Sequence, residues 1–144
     1  MNRNEFEAIR NIPGKKIVND IRFSKRAAAA PALVADGISI ENAAGVDLRL
    51  SITVNPEIGS KTFNVHIPGV GPICRLDVDG TIHRPAGRSH KHSLQTDRCP
   101  DRNLSDGVVD RAELSGKGVR DLFAEFCATA HISHTGAFVA PDEG

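Results

Sequence analysis

The sequence predicts an α+β fold: an antiparallel sheet, arranged as a meander, with a C-terminal amphipathic helix packed on one face. Three observations support this fold class. Apolar and polar residues alternate through the middle of the chain, turn-forming residues separate the alternating segments, and the spacing becomes helical near the C-terminus. A length of 144 residues suits one continuous core. We therefore assign residues 1–144 to a single domain.

The N-terminal third predicts a helix, a strand and the beginning of a hairpin. Residues 2–11 favour a short helix that ends before Pro13, and the apolar residues over 17–23 fall on alternate positions, as in a strand. Ile38 then precedes the turn-forming stretch 42–45, which predicts a hairpin into the next strand.

The central part contains the clearest strand patterns in the chain. Every second residue is apolar over 47–54, 61–67 and 73–79, with glycine, proline and asparagine between the segments. We expect these three strands to form one antiparallel sheet, and residues 89–96 to add a fourth strand. In the third strand, alternation separates an apolar side (Cys74, Leu76 and Val78) from a polar side (Arg75, Asp77 and Asp79).

The C-terminal part changes to helical spacing. Residues 118–130 carry an apolar stripe, with Ser115 as the expected N-cap. Such a stripe needs an apolar surface, and the apolar face of the meander provides one. Cys74 and Cys127 belong to these apolar patterns, so we expect both thiols to lie in the core.

Composition limits the function classes. Eighteen basic and eighteen acidic side chains cancel, so only a local patch could attract a polyanion. Trp and Tyr are absent, which disfavours a base-stacking surface. Three cysteines without regular spacing favour a reducing compartment, and no apolar run has the length of a signal peptide or membrane span. We therefore expect a cytoplasmic protein with no membrane association.

The segment 75–99 concentrates histidine and basic residues. Metal-free RNA cleavage requires one histidine to deprotonate the 2′-hydroxyl, another to protonate the leaving oxygen, and cations to stabilise the developing charge. The candidate catalytic residues are His90, His92, His83, Arg75 and Asp77. The candidate substrate-binding residues are Lys91, Arg84 and Arg88. This interpretation needs no cofactor and makes RNA a candidate partner.

Two other interpretations of the same segment stay open. His90 and His92 could lie with Leu94 at the edge of the core, with no chemical role. Alternatively, the segment could hold zinc. The candidate ligands are His83, His90, His92 and Cys99, with Asp77 or Asp79 able to complete a site for another cation.

The stretch 73–127 resembles a known family. It contains Cys-Arg-Leu-Asp-Val-Asp-Gly at 74–80, then His83, then His-Lys-His at 90–92, and a helix ending near Phe126-Cys127. In these features it resembles the TumE-type toxins of bacterial toxin–antitoxin modules and a related bacterial domain with a similar pattern. The resemblance implies a small ribonuclease-like toxin held by an antitoxin partner, with Arg75, Asp77, His83, His90 and His92 at the matching positions.

A binding protein without chemistry is the competing function class. A phage or mobile-element inhibitor could use a sheet edge or a basic loop to block a host protein or nuclease complex. Small size and neutral charge suit it equally well. Both classes imply a protein partner, which is an antitoxin in the first and a host target in the second. Growth arrest on expression would separate a toxin from an inhibitor.

Overall fold

A computed structural model describes residues 3–25, 32–79, 90–92, 109–110 and 112–141. Its helices are α1 (Arg3–Arg10) and α2 (Val119–Ala130), and a single 3₁₀ turn lies at Ala112–Leu114. Its strands are β1 (Lys15–Ile17), β2 (Ser24–Lys25), β3 (Leu33–Ile40), β4 (Leu48–Asn55), β5 (Ser60–Ile67), β6 (Gly71–Val78), β7 (His90–His92), β8 (Val109–Asp110) and β9 (Ile132–His134). Neither described helix is long and apolar enough to span a membrane.

The main sheet is an antiparallel meander in which sequence neighbours are also spatial neighbours. Within the described residues its order is β2-β3-β4-β5-β6-β7-β8. The three predicted central strands are confirmed, and so is the hairpin before them. In that hairpin, Asn42 Oδ1 accepts from Val46 N at 3.1 Å, and Gly45 adopts a left-handed conformation (φ 68°) that a turn glycine tolerates.

The core lies between one face of this sheet and α2. Alternation along β4 buries Leu50 and Ile52, and the ring of Phe63 in β5 stacks on Phe126 of α2 with centroids 5.5 Å apart. All six residues of the predicted stripe are buried: Val119, Leu122, Phe123, Phe126, Cys127 and Ala130. The predicted α+β class, with the C-terminal helix on one face of the sheet, is confirmed.

The N-cap of α2 differs from the prediction. Gly118, with extended backbone (ψ 161°), occupies that position, and no side chain caps the helix. Ser115 is instead one turn earlier, where its Oγ donates to Asp79 and the Gly116 amide donates to the same carboxylate at 2.9 Å. The predicted Ser115 cap is therefore wrong, because the hydroxyl joins the end of β6 to the segment before the helix.

The predicted strand over 17–23 is broken into two short pairings. β1 pairs in parallel with β9, and Ile21 forms an isolated bridge with Phe138. The two chain segments approach closely at Gly136, where an added Cβ would lie 2.6 Å from the Asn19 carbonyl oxygen. Ile17 in β1 and Ile21 in the bridge are both buried, which explains why the apolar residues alternate. The prediction of one continuous strand over 17–23 is wrong, because β1 ends at Ile17.

Lys15 lies at the junction of α1 and β1 and predicts a pH effect on stability. Its side chain is buried, with Nζ donating to the Arg10 carbonyl at 2.6 Å. Desolvation lowers the pKa of Lys15 below 10.5, nearby Cys74 opposes this shift, and Arg10 adds to it. Between the lowered value and 10.5 the unfolded state binds more protons, so the free energy of unfolding should rise with pH in that window.

The measurement is urea unfolding across the alkaline range for the wild type and Lys15→Met. The substitution should remove part of the rise, whereas Lys16→Met, at the exposed neighbouring position, should leave it unchanged. Equal pH slopes in the wild type and Lys15→Met would show that Lys15 is not the source.

Candidate functional site

The face of the main sheet opposite α2 is polar across its three central strands. We call this the polar face. Its residues are Arg49, Ser51 and Thr53 of β4, Thr62, Asn64 and His66 of β5, and Arg75 and Asp77 of β6. In an antiparallel pair, residues opposite one another share a face, so cross-strand register defines the neighbours within it. Arg49 is opposite His66, and Asn64 is opposite both Ser51 and Arg75.

The register of β6 with β7 adds two histidine positions to this face. Asp77 pairs with His90, and Arg75 pairs with His92. Positions 90 and 92 therefore belong to the face of Arg75 and Asp77 and not to that of buried Leu76. Lys91 pairs with Leu76, which assigns position 91 to the opposite face.

Asp77 is a buried carboxylate that two neighbours hold in place. The residue is 5% exposed. Its Oδ1 accepts from Thr62 Oγ1 at 2.8 Å, and its Oδ2 lies 3.1 Å from Arg75 Nε. A charge this far from water requires such compensation, because its desolvation would otherwise strongly disfavour the ionised form. These contacts fix the carboxylate directly opposite position 90.

Asn64 and His66 each bury a polar atom without a hydrogen-bond partner. The atoms are Asn64 Oδ1 and His66 Nδ1. The arginines opposite them are directed elsewhere: Arg75 Nε contacts Asp77, and Arg49 Nε donates to Asp47 at 2.7 Å. A buried polar atom without a partner costs about 1 to 3 kcal/mol. The alternation in β5 is the sequence signal that assigns Asn64 and His66 to this face.

Asp79 does not continue the polar side of β6. Its backbone is left-handed (φ 55°), and its carboxylate accepts from Ser115 and Gly116 and lies 3.9 Å from Lys61 Nζ. The strand ends at Val78, so alternation no longer applies to the next residue. Asp79 therefore joins the sheet to the segment before α2, and its expected position beside Asp77 on the polar side is wrong.

The remaining candidate residues lie outside the described part of the chain. These are His83, Arg84, Arg88 and Cys99. The predicted zinc site depends on two of them and so stays a prediction. Among the described residues, no group of three or more His, Cys, Asp or Glu side chains is arranged to hold a metal ion.

Both described cysteines are core residues, as predicted. Cys74 and Cys127 are buried, and burial raises the pKa of the Cys127 thiol to about 12. A thiol with so high a pKa forms very little thiolate near neutrality, and the thiolate is the nucleophile. Cys127 is therefore a packing residue of α2.

A cleft beside α2 offers a different arrangement of polar residues. It is lined in part by Arg120, Phe123, His134 and Phe138. Its polar groups already have partners, since Arg120 Nη2 donates to the Phe138 carbonyl at 2.7 Å and His134 Nε2 lies 2.9 Å from the Asn19 carbonyl oxygen. Phe123 and Phe138, which also line it, stack on each other with centroids 4.5 Å apart. The polar face is therefore the stronger candidate.

Comparison of the chain with protein-family models, with curated proteins and with solved structures finds no match.

Proposed function

We propose that this protein is a cytoplasmic, toxin-like ribonuclease that cleaves RNA without a metal ion, with His90 and His92 as its acid and base. The observation that supports this proposal is the β6–β7 register, which pairs Asp77 with His90 and Arg75 with His92. Two histidine positions, a fixed carboxylate and an arginine thus share one face. This combination suits phosphodiester cleavage by proton transfer.

The neighbours of the two histidines give them different roles. A carboxylate opposite position 90 suits a proton donor there, and a guanidinium opposite position 92 suits a proton acceptor. His92 accordingly takes the proton of the 2′-hydroxyl, whose oxygen attacks the phosphorus. His90 gives its proton to the departing 5′-oxygen as the P–O bond breaks. The products are a 2′,3′-cyclic phosphate and a 5′-hydroxyl.

Arg75 stabilises the charge that develops on the phosphorane. The Asp77 ion pair engages its Nε, which leaves the terminal nitrogens of the guanidinium for phosphate oxygens. His83, Arg84 and Arg88 lie in sequence between β6 and β7 and take supporting roles at the phosphate. Lys91 is left out, because its register position belongs to the other face. An antitoxin that binds the toxin is the partner this function requires.

The test is cleavage of a short RNA by purified protein in the presence of a metal chelator. We expect cleavage to persist, to yield the cyclic phosphate, and to stop when the nucleotide before the cleaved bond lacks its 2′-hydroxyl. Elemental analysis should find far less than one equivalent of zinc. Loss of activity with chelator would favour the zinc interpretation. Intact RNA, together with normal growth of expressing cells, would contradict the ribonuclease and favour the partner-blocking inhibitor.

A further inference from the structure

Asn64 and His66 form a distinct part of the polar face, on the side of Arg75 that is away from β7. They are two residues apart on β5, and β6 separates them from β7. Neighbouring strands are about 4.7 to 4.9 Å apart, and Asn64 and position 92 both pair with Arg75, so Asn64 is roughly 10 Å from position 92. That separation is comparable with the reach from a phosphate to the base of an adjoining nucleotide.

The charge around the pair favours a neutral group over a phosphate. The arginine opposite His66, Arg49, forms an ion pair with Asp47. The arginine opposite Asn64, Arg75, forms one with Asp77. Ser51, on the remaining side of Asn64, donates its hydroxyl to Asp36. Each arginine beside the pair is thus matched by a carboxylate.

The buried atoms also determine what the pair can offer a ligand. Asn64 and His66 are partly exposed, yet Asn64 Oδ1 and His66 Nδ1 are buried. The Asn64 amide nitrogen and His66 Nε2 are therefore the atoms that can meet a ligand. A buried N–H without an acceptor is rarer than a buried acceptor without a donor, which favours the tautomer with its proton on Nε2. Both groups are then donors.

We propose that Asn64 and His66 form a nucleobase subsite that donates hydrogen bonds to O4 of uracil or O6 of guanine, and so selects these bases beside the cleaved bond. This inference rests on the proposed ribonuclease function. Uracil and guanine present a keto oxygen where cytosine and adenine present an amino group, which two donors cannot bind.

The test measures, by calorimetry or NMR, the binding of each of the four nucleoside 3′-monophosphates to the intact protein. The wild type should bind the uridine and guanosine nucleotides roughly five- to tenfold more tightly than the adenosine and cytidine nucleotides. His66→Gln places an amide near the position of Nε2 and should keep the preference, whereas His66→Asn reaches only the position of Nδ1 and should lose it. Asn64→Leu should also lose it.

Two controls separate this role from a structural one. Thr53→Val, on the same face but opposite Thr62, should leave the base preference unchanged. Asn64→Leu removes a buried polar atom that has no partner, so its Tm should equal or exceed that of the wild type. A Tm that falls along with the preference would show that Asn64 supports the fold and would overturn the subsite.

The outcomes also separate the subsite from the ribonuclease. RNA cleavage without any base preference in binding would retain the ribonuclease and overturn the subsite. Base preference that depends on Asn64 and His66, without cleavage, would retain the subsite and overturn the ribonuclease. If the wild type binds none of the four nucleotides, the subsite is overturned, whatever the result of the cleavage assay.

Discussion

Replacing His90 and His92 together by alanine is expected to lower the rate of RNA cleavage by roughly 10² to 10⁴-fold, the usual contribution of general acid–base groups. The loss should appear in kcat, because proton transfer occurs in the chemical step and not in binding. The single variants should also differ from each other in their pH profiles. His90→Ala should remove the alkaline limb of a bell-shaped profile, and His92→Ala should remove the acidic limb.

Lys91→Ala is the matched control for this experiment. It changes the residue between the two histidines, but its backbone pairs with Leu76, so it belongs to the opposite face of the sheet. Its cleavage rate should stay close to that of the wild type. Arg75→Gln forms a second comparison, since loss of a phosphate contact should weaken RNA binding and reduce its dependence on salt.

The acid–base assignment is open to direct contradiction. If the double variant cleaves RNA, or arrests growth, as well as the wild type does, then neither histidine transfers a proton in the reaction. If Lys91→Ala loses as much activity as the histidine variants, the face assigned by the β6–β7 register does not define the site.

Phe126→Ala is expected to lower the free energy of unfolding by about 3 to 5 kcal/mol, a large part of the total stability of an ordinary domain. The ring is 1% exposed and stacks on Phe63, and so joins α2 to the centre of the sheet. Truncation leaves a cavity that the strands of a hydrogen-bonded sheet cannot collapse to fill. Urea unfolding, followed by circular dichroism, measures the change.

Ile58→Ala is the control for core truncation. This residue is also a large apolar side chain, but it lies in the turn between β4 and β5 and is 62% exposed. Its substitution should change the free energy of unfolding by about 0.5 kcal/mol or less. Similar losses for Phe126→Ala and Ile58→Ala would show that the packing of α2 on the sheet contributes little to stability.

The fold class and most of its elements could be predicted from the sequence because each depends on the burial of one face. Alternation in β4, β5 and β6 follows from strand geometry, and the stripe in α2 follows from helix geometry. Such periods indicate which residues share a side of their own element. They also located Arg75 and Asp77 together on one side of β6.

Tertiary structure decided which residues from different strands become neighbours. Spacing within 89–96 allowed His90 and His92 to lie either at the core edge or on the polar face, since moving a strand by one residue exchanges its faces. The β6–β7 register selected the face of Arg75 and Asp77. Likewise, the left-handed turn at Asp79 and the close approach of Asn19 to Gly136 arise from contacts between distant segments, which no local period encodes.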